Sequence, residues 1–116
     1  AGADPVAFGI AAVAAARGRH LRSFSIRKES KGHGVQGRLA GALIAGDRVV
    51  VCEDTVTRGV SPLEAAAVVR DLGAIPVAVM AIVDRGGTCA AAAADVGMAF
   101  LPLVTAPDLG FSYEGP

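Results

Sequence analysis

Two apolar runs constrain the fold of this chain more than any other feature: "RVVVCE" (48–53) and "AIPVAVMAIVD" (74–84). Neither alternates apolar with polar residues. That is the pattern of strands buried on both faces of a parallel sheet. A parallel pair needs a crossover of a dozen or more residues, usually a helix. The intervening "SPLEAAAVVRDLG" (61–73) supplies one. There Ser61 is expected to cap, Pro62 takes the first helical position, Glu64 completes a capping box and Gly73 ends the helix. "TCAAAAADVG" (88–97) reads as a short helix closed by Gly97, and "MAFLPLVT" (98–105) as a last strand. Strand, helix, strand, helix, strand in succession predicts an α/β fold with a mostly parallel, Rossmann-like sheet flanked by helices.

The N-terminal half is less regular. Asp4-Pro5 reads as an N-cap followed by proline at the first helical position, opening an alanine-rich helix to Ala16 that Gly18 stops. "LRSFSI" (21–26) alternates as a strand does. "RKESKGHGVQGR" (27–38) is a long polar loop, a length that loops with a function often have. "GALIAG" (41–46) is expected to be a short strand ending in a turn at Gly46-Asp47.

At 116 residues the chain predicts one domain, 1–116. Aromatics are 4% with no Trp while 53% of residues are hydrophobic, so the core must be built from Ala, Val, Leu and Ile. A formal net charge of zero argues against a general nucleic-acid binder. The charge is unevenly placed, however. Arg17, Arg19, Arg22, Arg27, Lys28, Lys31 and Arg38 lie close together, with His20 and His33 among them and Glu29 as the only acid in that span. A basic segment on a neutral protein points to an anionic small ligand. Cys52 and Cys89 form no CxxC or metal-ligand spacing and are expected to be two buried free thiols, which fits a reducing cytoplasm. No stretch is long and apolar enough to span a membrane, and no signal peptide is visible. A start at Ala-Gly-Ala without Met leads to the expectation that the N-terminal part of a longer protein is missing.

Ligands of parallel α/β sheets bind at the carboxyl ends of the strands, at a switch in strand order. Glu53-Asp54 and Asp84-Arg85 stand at such ends. In "EDTVTRGVS" (53–61), Gly59 lets the backbone turn sharply and approach a ligand, and residues 57–61 can aim N–H groups and hydroxyls at one anion. The positive end of the following helix adds to this. The adjacent carboxylates suit vicinal sugar hydroxyls. The plainer reading is that the acids end a strand and Ser61 caps a helix. In "RKESKGHG" (27–34), cations on a glycine-bounded loop can close over a pyrophosphate and exclude water; the plainer reading is a solvated charged loop. In "VDRGG" (83–87), the plain reading of Arg85 is a strand-end cation that pairs with Asp84.

The order and spacing of these stretches resemble the orotate phosphoribosyltransferases, of the type I phosphoribosyltransferase family. The run Val49 to Ser61 resembles that family's signature for 5-phosphoribosyl 1-pyrophosphate: an apolar strand, two acids, two residues, then Thr-x-Gly-x-Ser/Thr. Arg58 stands where the family commonly has Ala or Gly. Arg27, Lys28, Glu29, Lys31, His33 and Gly34 match the family's mobile catalytic loop, and "AGADP" (1–5) its pyrophosphate-binding loop, with Gly2 or Ala3 where many members carry Lys. The resemblance covers roughly residues 1 to 110 and implies a type I phosphoribosyltransferase core without the family's N-terminal region.

It further implies transfer of a phosphoribosyl group to orotate, giving orotidine 5′-monophosphate and pyrophosphate in pyrimidine synthesis, through a transition state like an oxocarbenium ion. Mg²⁺ would be held mostly through ligand oxygens and water rather than by the protein. By the same resemblance, Thr57, Arg58, Gly59, Val60 and Ser61 bind the 5-phosphate, with Thr55 and Val56 leading into that loop. Glu53 and Asp54 bind the ribose hydroxyls. Lys28, Lys31 and His33 act on the pyrophosphate with Arg27 assisting, and Arg85 with Thr57 binds orotate. The group expected to be catalytic is Lys28, Lys31, His33 and Asp54. A homodimer is implied in which loop 27–38 serves the neighbouring site, so that Lys31 and His33 complete the partner subunit's centre. No nucleic acid and no membrane are expected as partners. Two rival readings are a phosphoribosyltransferase for another nucleobase and a non-catalytic sensor of phosphoribosyl pyrophosphate. The Arg-Lys-Glu loop speaks against the first, Lys31 and His33 against the second.

Overall fold

The computed structural model describes residues 2–28 and 34–114. In chain order it contains helix α1 (Asp4–Ala16), strand β1 (Phe24–Ile26), a 3₁₀ turn (Gly34–Arg38) and strand β2 (Leu39–Gly41). Then follow β3 (Arg48–Val56), α2 (Val60–Asp71), β4 (Ile75–Asp84), α3 (Cys89–Asp95), β5 (Ala99–Thr105) and a closing 3₁₀ turn (Pro107–Leu109).

Strands β3, β4 and β5 form a parallel sheet in that order. Val56 pairs with Asp84 and Asp84 with Thr105, so the three strands end level with one another. Both crossovers advance in the same direction, and right-handed crossovers then put α2 and α3 on one face of the sheet. The main cluster reflects this. Ala66 of α2 and Cys89 and Ala93 of α3 pack with Val56, Val79, Ala81 and Met98. A second cluster joins Val49, Val69 and Ala74, with Phe24, Ile26 and Leu43 against it.

The α/β expectation holds, with local corrections. The described strand order shows no reversal. β4 is central and well buried, but β3 pairs with only one strand among the described residues and is not buried on both faces: Val50 is 45% exposed. β3 also runs three residues beyond the expected end, because the ladder to the long β4 continues through Thr55 and Val56. The short strand expected at 41–46 forms instead at Leu39–Gly41, antiparallel to β1. Gly41 makes this possible, since at its φ of +110° a Cβ would stand 2.9 Å from the Phe24 Cα. Residues after it enter a turn in which the Asp47 carboxylate accepts the Ile44 N–H at 2.9 Å and pairs with Arg22.

Two expected caps are absent among the described residues. Ala3, not Asp4, is the N-cap of α1, and the Asp4 carboxylate accepts the Ser25 hydroxyl at 2.9 Å instead. Gly59, not Ser61, is the N-cap of α2, and Glu64 pairs with Arg38 at 3.4 Å instead of closing a capping box. In both cases a tertiary partner takes the carboxylate away from the local bond. Cys89 is buried as expected, whereas Cys52 is only half-buried because it lies on the edge strand β3.

A cavity of about 690 Å³ lies between β1 and β3. It is lined by residues 20–26 and 47–53, with Ala7, Ile10 and Ala11 of α1 and Glu64, Ala65 and Val69 of α2 around them.

Candidate functional site

The site is built where three chain segments meet: the start of α1, the turn from β3 into α2, and the turn from β4 into α3. Successive strand residues point to opposite faces. Glu53 accordingly looks toward Ser61 at the start of α2, and both line the same cavity. Asp54 lies beside Gly2 at the start of α1, where an added Cβ would stand 2.8 Å from Asp54 Oδ2. One acid thus stands at the start of each helix. Burial, followed by the charge of Asp54, pushes the Glu53 carboxyl above its ordinary value, while Ser61 and Lys28 pull the other way. Asp54 Oδ1 accepts the Thr55 N–H at 2.7 Å.

Gly59 adopts φ +83° and starts α2 without any side-chain cap. Its carbonyl accepts the Leu63 N–H at 3.1 Å. Pro62 carries no N–H, which leaves Val60 and Ser61 as the first-turn donors. Uncapped first-turn donors at the positive end of a helix dipole form a ready anion site. The turn is held from behind by the start of α3. A Cβ on Gly59 would stand 2.6 Å from Cys89 Sγ, and Gly86 lies so close to the Thr57 carbonyl that no Cβ fits there. The Thr88 hydroxyl donates to Thr57 O at 3.3 Å, and Arg85 N–H to Val56 O at 2.7 Å. Sequence reasoning missed this support; the Gly86-Gly87 pair was its one visible trace.

Asp84 is 5% exposed, and its carboxylate accepts the N–H groups of Gly86 at 3.3 Å and Gly87 at 3.0 Å. The pairing of Arg85 with Asp84, weighed from sequence, does not form. Arg85 pairs with Glu114 instead.

Arg27 and Arg38 clamp the base of the basic loop. Arg27 N–H donates to Arg38 O and Arg38 Nε to Arg27 O, both at 2.7 Å. The Arg27 guanidinium donates to Gly37 O at 3.3 Å and Leu39 O at 3.4 Å. The Arg27 guanidinium is thus engaged in anchoring the base of the loop. Lys28 is exposed and lines the 690 Å³ cavity together with Ala3, Glu53 and Ser61. Thr57, Gly59 and Arg85 lie outside that cavity. Arg58 is exposed and Thr57 half-buried. Glu29, Lys31 and His33 lie outside the described residues. No group of three His, Cys, Asp or Glu side chains that could hold a metal occurs among the described residues, and no helix there is long and apolar enough to cross a membrane.

No family model matches the chain. Among curated proteins it is similar to the orotate phosphoribosyltransferase of Streptomyces coelicolor, with 57% identity over 84 residues, covering 72% of this chain and 46% of that protein. Among solved structures it is similar to Mycobacterium tuberculosis orotate phosphoribosyltransferase in complex with Fe(III) dicitrate. The TM-score is 0.82 at 40% identity, covering 95% of this chain and 61% of the other. The same enzyme in complex with 5-phospho-alpha-D-ribosyl 1-diphosphate gives a TM-score of 0.79 at 36% identity, covering 95% and 61%. The chain spans about half the length of the curated relatives it matches.

Proposed function

The chain belongs to the orotate phosphoribosyltransferase family, and from that premise we propose that its protein transfers the phosphoribosyl group of 5-phosphoribosyl 1-pyrophosphate to orotate. The observation that carries this reading is the uncapped start of α2 beside Glu53 and Asp54. It offers backbone donors for a phosphate next to carboxylates for sugar hydroxyls. The phosphoribosyl diphosphate named in the complex of the Mycobacterium tuberculosis relative supports the choice of ligand.

In this reading the N–H groups of Val60 and Ser61 and the hydroxyls of Thr57 and Ser61 hold the 5-phosphate. Thr55, Val56, Arg58 and Gly59 give the loop its path. Glu53 and Asp54 accept the ribose hydroxyls. Arg85, at the end of β4, meets the base carboxylate, with Thr57 at the base edge. As orotate N1 bonds to C1, the bond from C1 to the pyrophosphate oxygen breaks and charge builds on the leaving group. Lys28, together with Lys31 and His33, offsets that charge. Arg27 anchors the loop that carries them.

Mg²⁺ in this reading is held through phosphate oxygens and water, and among the described residues no cluster of three His, Cys, Asp or Glu side chains stands ready to cage it. When bound, it would neutralise pyrophosphate charge, with its ligands supplied by phosphate oxygens and water. The unpaired state of both cysteines is in keeping with a cytoplasmic setting.

The test is orotate-dependent release of pyrophosphate by the protein, set against a panel of other nucleobases. Orotate is expected to be the preferred acceptor, and Asp54→Asn and Arg85→Ala to lose about a hundredfold or more in rate. Tight phosphoribosyl pyrophosphate binding without turnover on any base would overturn the enzyme reading in favour of a sensor. For a homodimer with shared sites, inactive Lys31→Ala and Asp54→Asn chains are expected to restore part of the activity when mixed. Absence of rescue in verified mixed dimers would refute the sharing.

A further inference from the structure

The C-terminal segment is docked on the turn that carries Arg85. Glu114 N–H donates to Arg85 O at 2.7 Å, and the Glu114 carboxylate pairs with the Arg85 guanidinium. One residue earlier, the Tyr113 ring lies over Gly87 so closely that a Cβ there would stand 2.9 Å from it. Further back, Phe111 N–H donates to Ala106 O at 3.0 Å, which ties the segment to the end of β5. The neighbouring acid, Asp84, is buried and already engaged by Gly86 and Gly87. Among the described residues Glu114 is therefore the carboxylate that meets Arg85.

The chemistry of this contact matches the one assigned above to the ligand, a carboxylate on the same guanidinium. A second carboxylate that needs the same Nη2 edge of the Arg85 guanidinium must displace Glu114 from it. We propose that Glu114 occupies the place of the base carboxylate on Arg85, so that residues 111–114 form an internal competitor at the base subsite. This rests on the assignment of Arg85 to the orotate carboxylate.

The docked segment is poised to yield. Arg85 and Glu114 side chains are 47% and 48% exposed, and ion pairs so open to water contribute little. A rigid planar acid that forms two parallel bonds to the guanidinium loses less side-chain entropy than Glu114 does on pairing. The expected penalty on orotate affinity is accordingly small, roughly two- to five-fold. Binding of the phosphoribosyl ligand should be untouched, because among the described residues the hydrogen bonds and ion pair of Glu114 go to Arg85 and not to residues 53–61.

The experiment compares wild-type protein with Glu114→Gln. Reaction of Arg85 with a guanidine-specific dicarbonyl reagent is followed by peptide mass spectrometry, with and without orotate, and orotate and phosphoribosyl pyrophosphate affinities are measured by calorimetry. The proposal predicts faster Arg85 modification in the variant, protection by orotate in both proteins, and two- to five-fold tighter orotate binding at unchanged phosphoribosyl pyrophosphate affinity. Equal modification rates, or orotate affinity that is unchanged or weaker, overturn it. Faster modification with no orotate protection in either protein defeats the base assignment of Arg85, and the competition falls with it. Tyr113→Ala supplies a second variant that loosens the same segment without altering charge, and it too should speed the modification.

Discussion

Gly59 carries two demands at once. Its φ of +83° is a conformation that side-chain-bearing residues rarely adopt, and a Cβ there would run into Cys89 Sγ. Gly59→Ala is expected to cost about 1–3 kcal/mol in urea denaturation and to weaken phosphate binding, because the start of α2 must shift. Adding Cys89→Ala should regain part of the stability by making room, but not the part lost to the backbone angle. Full recovery in the double variant would show that crowding alone sets the requirement for glycine.

Glu53 offers a test by pH. Burial raises its carboxyl value in the folded chain, so the folded state holds that proton more tightly than the unfolded state does. Stability from this group is therefore greatest at low pH and falls as pH rises through the window above the ordinary glutamate value of 4.5. Glu53→Gln should remove that slope and leave the unliganded protein as stable as wild type, or more so, at neutral pH. Parallel denaturation series at pH 4.5 and 7 would show it; identical slopes in the two proteins would contradict it. Asp47 has the opposite sign. The Ile44 N–H and then Arg22 lower its value, so its contribution is present at neutral pH and lost on acidification below 3.8.

At the scale of elements, the central and edge strands of the sheet should answer differently to substitution. Val79 on β4 is fully buried in the main cluster, and Val79→Ala should cost about 2 kcal/mol through lost contacts and a residual cavity. Val50 on β3 is 45% exposed, and Val50→Thr should change stability by no more than about 0.5 kcal/mol. Chemical denaturation of both variants checks the pair. Similar costs at the two positions would mean that β3 is covered by further structure in the protein. The helix start at Gly59 shows a related division of labour. A capping box at Ser61 and Glu64 would have satisfied first-turn donors internally. With Glu64 drawn to Arg38, the Val60 and Ser61 donors remain available to a ligand.

Across the whole molecule, apolar surface is distributed in an unusual way. Helix α1 contributes no fully buried residue, and Phe8 and Val13 on it are 52% and 54% exposed. On the sheet face turned away from α2 and α3, Leu101 and Leu103 of β5 are also exposed. Patches of this kind mark surfaces that other structure covers. The 116-residue chain studied alone is expected to bind a fluorescent probe of exposed apolar surface and to associate in a concentration-dependent way. A dark probe and a concentration-independent monomer would contradict this.

Much of this organisation was legible from local pattern. The runs at 48–53 and 74–84, the helix between them and the closing strand all follow from unbroken apolar stretches punctuated by glycine, because a parallel strand–helix–strand unit writes its periodicity into nearby residues. The turn at 57–61 was visible for the same reason, since Gly59, Thr57 and Ser61 are neighbours in the chain. The short strands β1 and β2 were placed less well, because three-residue strands are set by what they pair with rather than by their own composition. Partners far apart in sequence left no such trace. Asp4 with Ser25, Glu64 with Arg38, Thr88 with Thr57 and Glu114 with Arg85 are pairings of generic polar residues. What the sequence alone determined was the identity and order of the elements and the chemistry gathered at the strand ends, because both depend on neighbouring residues. Which carboxylate meets which cation, which helix start stays uncapped and which strand lies at the edge were decided by the tertiary structure, because those outcomes depend on distances that only folding creates.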